Sequence, residues 1–287
     1  GLDYAQYIIY PSTNPDGTAA GAALTSWQTI FNWSLPTRTS YYTDNWDLSP
    51  VWESLQQGYN FVFVRGYDMA SNTTDYANFV FYVKKDTAPP IIINNEPAVP
   101  LWDNSARAHN VDFQDIGIGV KVSSYTAYSG ANQSGSQLIP WTTIFDISPP
   151  VSLYTADWEI NFALLQPGTN YISIRCSDAL GNTASQVDVF RVLKDTIPPN
   201  DITNLSSSQG TLAGSIALSW TAPSDDTITD PGNTRLKFYL TKYKTSPFSD
   251  KSDFLATGTT FYISAPLPPS SAETATITGL VEGTTYY

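Results

Sequence analysis

Carboxylates are the side chains of this sequence best placed to do chemistry. Asp68 and Asp178 each close an apolar run, and each is followed four positions later by an asparagine, Asn72 and Asn182. Asp86 and Asp195 sit in two near-copies, Lys85-Asp86-Thr87-Ala88-Pro89-Pro90 and Lys194-Asp195-Thr196-Ile197-Pro198-Pro199, with Asp201 just behind the second. Carboxylate and carbonyl oxygens gathered where two domains meet can hold Ca2+, a hard cation that takes roughly six to eight oxygens. These five aspartates are therefore the candidate calcium ligands. The same residues also have a metal-free reading, because Asp and Asn at such spacings bond their own backbone and cap a turn. No Asp-x-Asp-x-Asp-Gly loop is present to decide for the metal.

Other chemistries find less support. His109 is the only histidine, no Gly-x-Ser-x-Gly occurs, and no His or Cys pair has metal-ligand spacing, so an enzyme is not expected. Eight tryptophans invite a sugar-stacking reading, but Trp27 pairs with Trp141 and Trp46 with Trp158 in an internal repeat. Recurrence at equivalent positions marks these four as structural. Trp52 is in phase with a buried face and Trp220 takes a core role in the resemblance given below, which leaves Trp33 and Trp102 as candidate carbohydrate platforms. The net charge of −12, with 14 basic residues and no basic run, excludes nucleic acid and anionic membrane surfaces as partners. No apolar stretch is long enough to insert in a membrane. The single cysteine, Cys176, is predicted to be a buried thiol beside Ile172 and Ile174.

The elements that position these residues form a repeat. Leu165, Gly168, Tyr171, Arg175, Asp178 and Asn182 match Leu55, Gly58, Phe61, Arg65, Asp68 and Asn72, and the opening recurs as Leu280, Gly283 and Tyr286. The leucines lie 110 and 115 residues apart, the length of one β-sandwich domain. Alternation from Tyr154 to Leu164 predicts a continuous strand with Trp158 facing inward, and Tyr42 to Trp52 keeps that phase in the first copy. Runs at 61–64, 171–174, 79–83 and 187–192 are also rich in β-formers, and no segment has a helical period. The paired prolines make short, stiff linkers. The expectation is an all-β chain of three domains in a linear array: 1–86, 91–195 and 200–287. Gly1 aligns with Gly119, and Tyr286 is a corner residue, so the outer two domains are expected to be incomplete. The polypeptide is expected to continue at both ends, or a neighbouring copy to donate strands.

Two resemblances give this array a family. Phe113-Gln-Asp115-Ile-Gly117-Ile-Gly119-Val, Asp178-Ala-Leu-Gly181-Asn182 and the closing Lys-Asp-Thr-Ile-Pro-Pro resemble bacterial immunoglobulin-like repeats of large secreted or surface proteins, and residues 1–86 resemble the same repeat. Leu218-Ser-Trp220-Thr-Ala-Pro-Ser-Asp225, followed by Gly279-Leu280-Val-Glu-Gly283-Thr-Thr-Tyr286, resembles a fibronectin type III domain. The type III resemblance implies a core Trp220 and a tyrosine corner at Tyr286. In the first repeat the corner position is Phe61, so no hydroxyl bond can form there. The resemblances imply a non-catalytic stalk, adhesive or filament-forming segment of a longer extracellular or cell-surface protein. The rival implication is a set of spacer or carbohydrate-binding modules of a secreted polysaccharide-degrading enzyme. Expected partners are neighbouring repeats or copies through strand edges such as Phe79 to Val83, and surface glycans or proteins.

Overall fold

The computed structural model describes residues 1–33, 40–74, 77–225 and 236–287. The chain is predominantly β-stranded. Among the described residues, helical structure is limited to one α-helix, Lys251–Ala256, and two 3-10 turns, Ser49–Ser54 and Phe162–Leu164. Contacts divide the chain into two compact units. One comprises Gly1–Val99, Ala108–Ile160 and Tyr171–Phe190, and the other Pro100–Arg107, Asn161–Asn170 and Arg191–Tyr287.

In the first unit, Leu2–Tyr10 lies antiparallel between Gln28–Asn32 and Gly58–Asp68. Its alternation sends Tyr7 and Ile9 into a core with Val51, Leu55 and Val62, and Trp46 stacks on Tyr7 at 4.8 Å. The second repeat rebuilds this arrangement. Val120–Gly130 lies between Ser134–Val151 and Gly168–Asp178, and Tyr125 faces Ile174 just as Tyr7 faces Val64. A second sheet, with Val111–Gln114 between Ile91–Asn94 and Leu153–Tyr154, brings the fully buried Phe113 edge-on to Phe145 at 5.2 Å.

The strand expected from Tyr154 to Leu164 is broken. It consists of Leu153–Tyr154, Trp158–Glu159 and the 3-10 turn Phe162–Leu164. Trp158 and Ile160 are nevertheless buried as the alternation predicts, whereas Ala156 and Leu164, expected on the same face, are exposed. The reason for the break is the partner: among the described residues Trp158–Glu159 pairs only with the two-residue Ala108–His109, which leaves the extended chain around it without a ladder there. In the first repeat Tyr42 to Trp52 forms no strand, and Pro50 lies at the start of the 3-10 turn, where its missing N–H is no loss.

The corner that precedes the central strand is the same in both copies. Gly58 and Gly168 take φ of 85° and 89°, which an L side chain adopts only under strain. Two residues on, Asn60 and Asn170 are fully buried. Asn170 Oδ1 accepts from Gln166 N at 3.1 Å, and its Nδ2 donates to Gln166 O, Gly168 O and Val192 O at 2.9, 3.0 and 3.3 Å. Asn60 makes the equivalent bonds to Gln56, Gly58 and Val83. An asparagine closes both corners, so the corner forms without a hydroxyl at Phe61. A lysine completes the motif: Lys85 Nζ donates to Trp52 O and Leu55 O, and Lys194 Nζ to Phe162 O and Leu165 O.

In the second unit, Ser206–Gln209, Ile216–Thr221 and Ala272–Ile277 form one antiparallel sheet, and Phe238–Tyr243 pairs with Thr259–Ser264. Trp220 is buried with its ring edge-on to Tyr239 at 5.1 Å. The Tyr286 hydroxyl accepts from Val281 N at 3.1 Å.

Candidate functional site

Three carboxylates converge in the first unit. Asp86 follows the strand Phe81–Lys85, Asp115 lies just beyond Val111–Gln114, and Asp178 ends Gly168–Asp178. Each offers an oxygen within 4.8 Å of those of the other two. Asp178 and Asp115 are 3% and 6% exposed, whereas Asp86 is half-buried.

Backbone N–H groups fix each of them. Asp178 Oδ1 accepts from Leu180 N and Asn182 N, both at 2.8 Å, while Oδ2 accepts from Asn182 Nδ2 at 2.6 Å. Asp115 Oδ1 accepts from Gly117 N at 2.7 Å and Gly119 N at 3.3 Å. Asp86 Oδ2 accepts from Ile118 N at 2.7 Å and Oδ1 from Ala88 N at 3.2 Å. Gly117 is required for this approach, because a Cβ there would stand 2.0 Å from Asp86 Oδ2. The Asn182 amide also donates to Asp86 O at 3.2 Å, tying the turn to the segment that carries Asp86.

The electrostatics of the group are unbalanced. Two unit charges 4.8 Å apart repel by about 3 kcal/mol at an effective dielectric constant near 20. Asp115 Oδ2 is buried and has no hydrogen-bond donor among the described residues. The field reaches Cys176, whose thiol is pushed up to about 12, first by burial and then by the charges of Asp115 and Asp178. Three carboxylates this close could hold a hard divalent cation.

Of the aspartates singled out by sequence, the structure brings Asp86 and Asp178 together. Asp68 caps the equivalent turn, accepting from Ala70 N, Asn72 N and Asn72 Nδ2, and the Asn72 amide holds its carboxyl below the usual range. Asp195 Oδ1 accepts from Ile197 N at 3.0 Å, and Asp201 is exposed. Asp68, Asp195 and Asp201 join no carboxylate group among the described residues. Asp115 is the member that sequence reasoning missed as a ligand. Its signal was the pair of glycines two and four positions on, the same offsets at which Leu180 and Asn182 serve Asp178.

The tryptophan candidates are both half-buried. Trp33 packs on Phe31 at 4.6 Å and Tyr42 at 5.9 Å, and Trp102 belongs to the short strand Trp102–Asp103 that runs parallel to Leu193–Lys194. The pairs assigned to structure differ in their surroundings. Trp158 is core, whereas Trp27 and Trp141 lie under the guanidinium groups of Arg65 and Arg175 at 3.7 and 4.5 Å. Among the described residues no helix is long and apolar enough to cross a membrane.

No protein-family model matches this chain, and no curated protein matches it.

Proposed function

We propose that this chain is a non-catalytic structural segment, a spacer or adhesive stalk, of a longer extracellular or cell-surface bacterial protein. In this reading it comprises tandem immunoglobulin-like domains, 1–86 and 91–195, followed by a fibronectin type III domain, 200–287. The observation that carries the reading is repetition at atomic detail. The same Gly–Asn corner, lysine strap, Arg-on-Trp pair and Asp-capped turn are built twice, around Asn60 and around Asn170. Repetition of one scaffold suits a part that sets distance and presents surface.

The bond from Val281 N to the Tyr286 hydroxyl, with Trp220 buried, supports the type III assignment. The only histidine supports a non-catalytic role. His109 is 3% exposed, with its ring 4.8 Å from Phe190 and Nδ1 3.3 Å from Glu96 Oε2, out of reach of a substrate. Partners in this reading are neighbouring repeats or further copies. Phe81 and Tyr82, exposed on the strand Phe81–Lys85, supply an apolar surface for them. Antibodies raised against the chain test the location. Labelling of intact source cells is expected, and labelling only after lysis would overturn the reading.

A further inference from the structure

We infer that Asp86, Asp115 and Asp178 form a Ca2+ site. Two independent observations carry this. The first is distance. Oxygens bound to one Ca2+ lie about 2.4 Å from it, so any two are at most about 4.8 Å apart, and the three carboxylates fall within that limit. The second is an orphan. Asp115 is 6% exposed, its Oδ1 is held by Gly117 and Gly119, and its buried Oδ2 has no donor among the described residues. A buried carboxylate oxygen without a partner is costly, and a bound cation is the partner that removes the cost. No Lys, Arg or His among the described ion pairs supplies the missing charge.

The choice of cation follows from the number of carboxylates and their burial. Mg2+ keeps several waters and is usually held by one or two carboxylates, whereas Ca2+ accepts many protein oxygens in adaptable geometry. Three carboxylates, two of them almost fully buried, favour Ca2+. The ion would join the segment that leads to Pro89-Pro90 with the loop after Val111–Gln114 and the turn after Gly168–Asp178. That linkage holds the first repeat's exit segment against the second repeat. The site stands on its own geometry, so it is independent of the spacer reading.

Calorimetric titration of the chelator-treated full chain with CaCl2 tests the site. One ion per chain is expected, with a Kd of roughly 10⁻⁴–10⁻³ M, as in extracellular calcium modules, and a Tm that rises with Ca2+. Asp115→Asn keeps an acceptor for Gly117 N–H and removes one charge. It should bind Ca2+ at least about ten-fold more weakly, yet melt no lower than the parent in chelator, which separates lost binding from lost folding. Gly117→Ala, which forces Asp86 aside, should also weaken binding. Asp68→Asn, in the equivalent turn of the first repeat, should leave it unchanged. The inference is overturned if no saturable binding occurs up to about 10 mM Ca2+, if Asp115→Asn binds like the parent, or if Asp68→Asn abolishes binding.

Discussion

Replacing Asn170 by alanine removes a side chain that is fully buried and makes four hydrogen bonds. Three of them, at 2.9 to 3.1 Å, contribute about 1 kcal/mol each; the fourth, to Val192 O at 3.3 Å, contributes less. Alanine also leaves Gln166 N–H, Gln166 O and Gly168 O facing a space from which water is largely excluded. The expected loss is therefore about 3–5 kcal/mol, the upper end reached if no water enters to replace the amide. For a folding unit of about 100 residues, 3 kcal/mol corresponds to a fall in Tm of roughly 12–24 °C. Because a multi-unit chain need not unfold in one step, the loss is best read locally, by native-state hydrogen exchange of Gly168–Asp178 and Thr183–Lys194. Asn60→Ala should cost a similar amount in Gly58–Asp68, since its bonds are the same. A loss below about 1 kcal/mol in either strand would refute the reasoning. So would an Asn170→Asp variant as stable as the parent, because aspartate keeps the acceptor and discards both donors.

Two further outcomes follow from charge and burial. Cys176, with its thiol pushed up to about 12 and no exposed surface, should react with a thiol reagent at pH 8 far more slowly in the native protein than in urea. Native and unfolded rates of equal size would contradict the burial. Asp253 is held well below the usual carboxylate range, first by the Lys244 ammonium at 2.7 Å and then by the Thr257 hydroxyl at 2.6 Å. Its folded-state value is depressed, so its contribution is complete above the unfolded value of 3.8 and fades as pH falls below that. The acid limb of the stability profile of Phe238–Tyr243 and its partner strand should flatten in Asp253→Asn, and an unchanged limb would count against the pairing.

The sequence was most legible where one residue type has one use. Alternation placed Trp158 and Ile160 on the buried side, and both are buried, whereas Ala156 and Leu164 of the same run are exposed. The repeat offset paired Arg65 with Arg175 and Trp27 with Trp141, and each pair forms the same cation–π contact. It was least legible where a role depends on partners distant in sequence. Asn60 and Asn170 are not among the residues that the sequence singles out, since nothing local says that their amides will be sealed under Val83 and Val192. The Tyr154 to Leu164 run read as a strand because periodicity reports facing. Whether a ladder forms depends on a neighbouring strand, and among the described residues only Ala108–His109 supplies one.

Asp68 and Asp178 show why the candidate site could be only half read. Both aspartates accept from N–H groups two and four residues on and from an asparagine amide, so the turn is written locally and appears twice. What differs is what covers the turn. Asp178 is 3% exposed beneath Asp86 and Asp115, while Asp68 is only half-buried and joins no other carboxylates among the described residues. Asp86 comes from 92 positions before Asp178, and Asp115 from 63 before it. The close approach of Asp86 further depends on Gly117 lacking a side chain. A cation-binding group thus requires the turn, the Asp-x-Gly-x-Gly loop and the Lys-Asp-Thr segment to meet in space. The turn alone, present in both repeats, is a cap satisfied by its own backbone. Asp115 makes the difference chemically, because it brings a buried oxygen that no backbone group among the described residues satisfies.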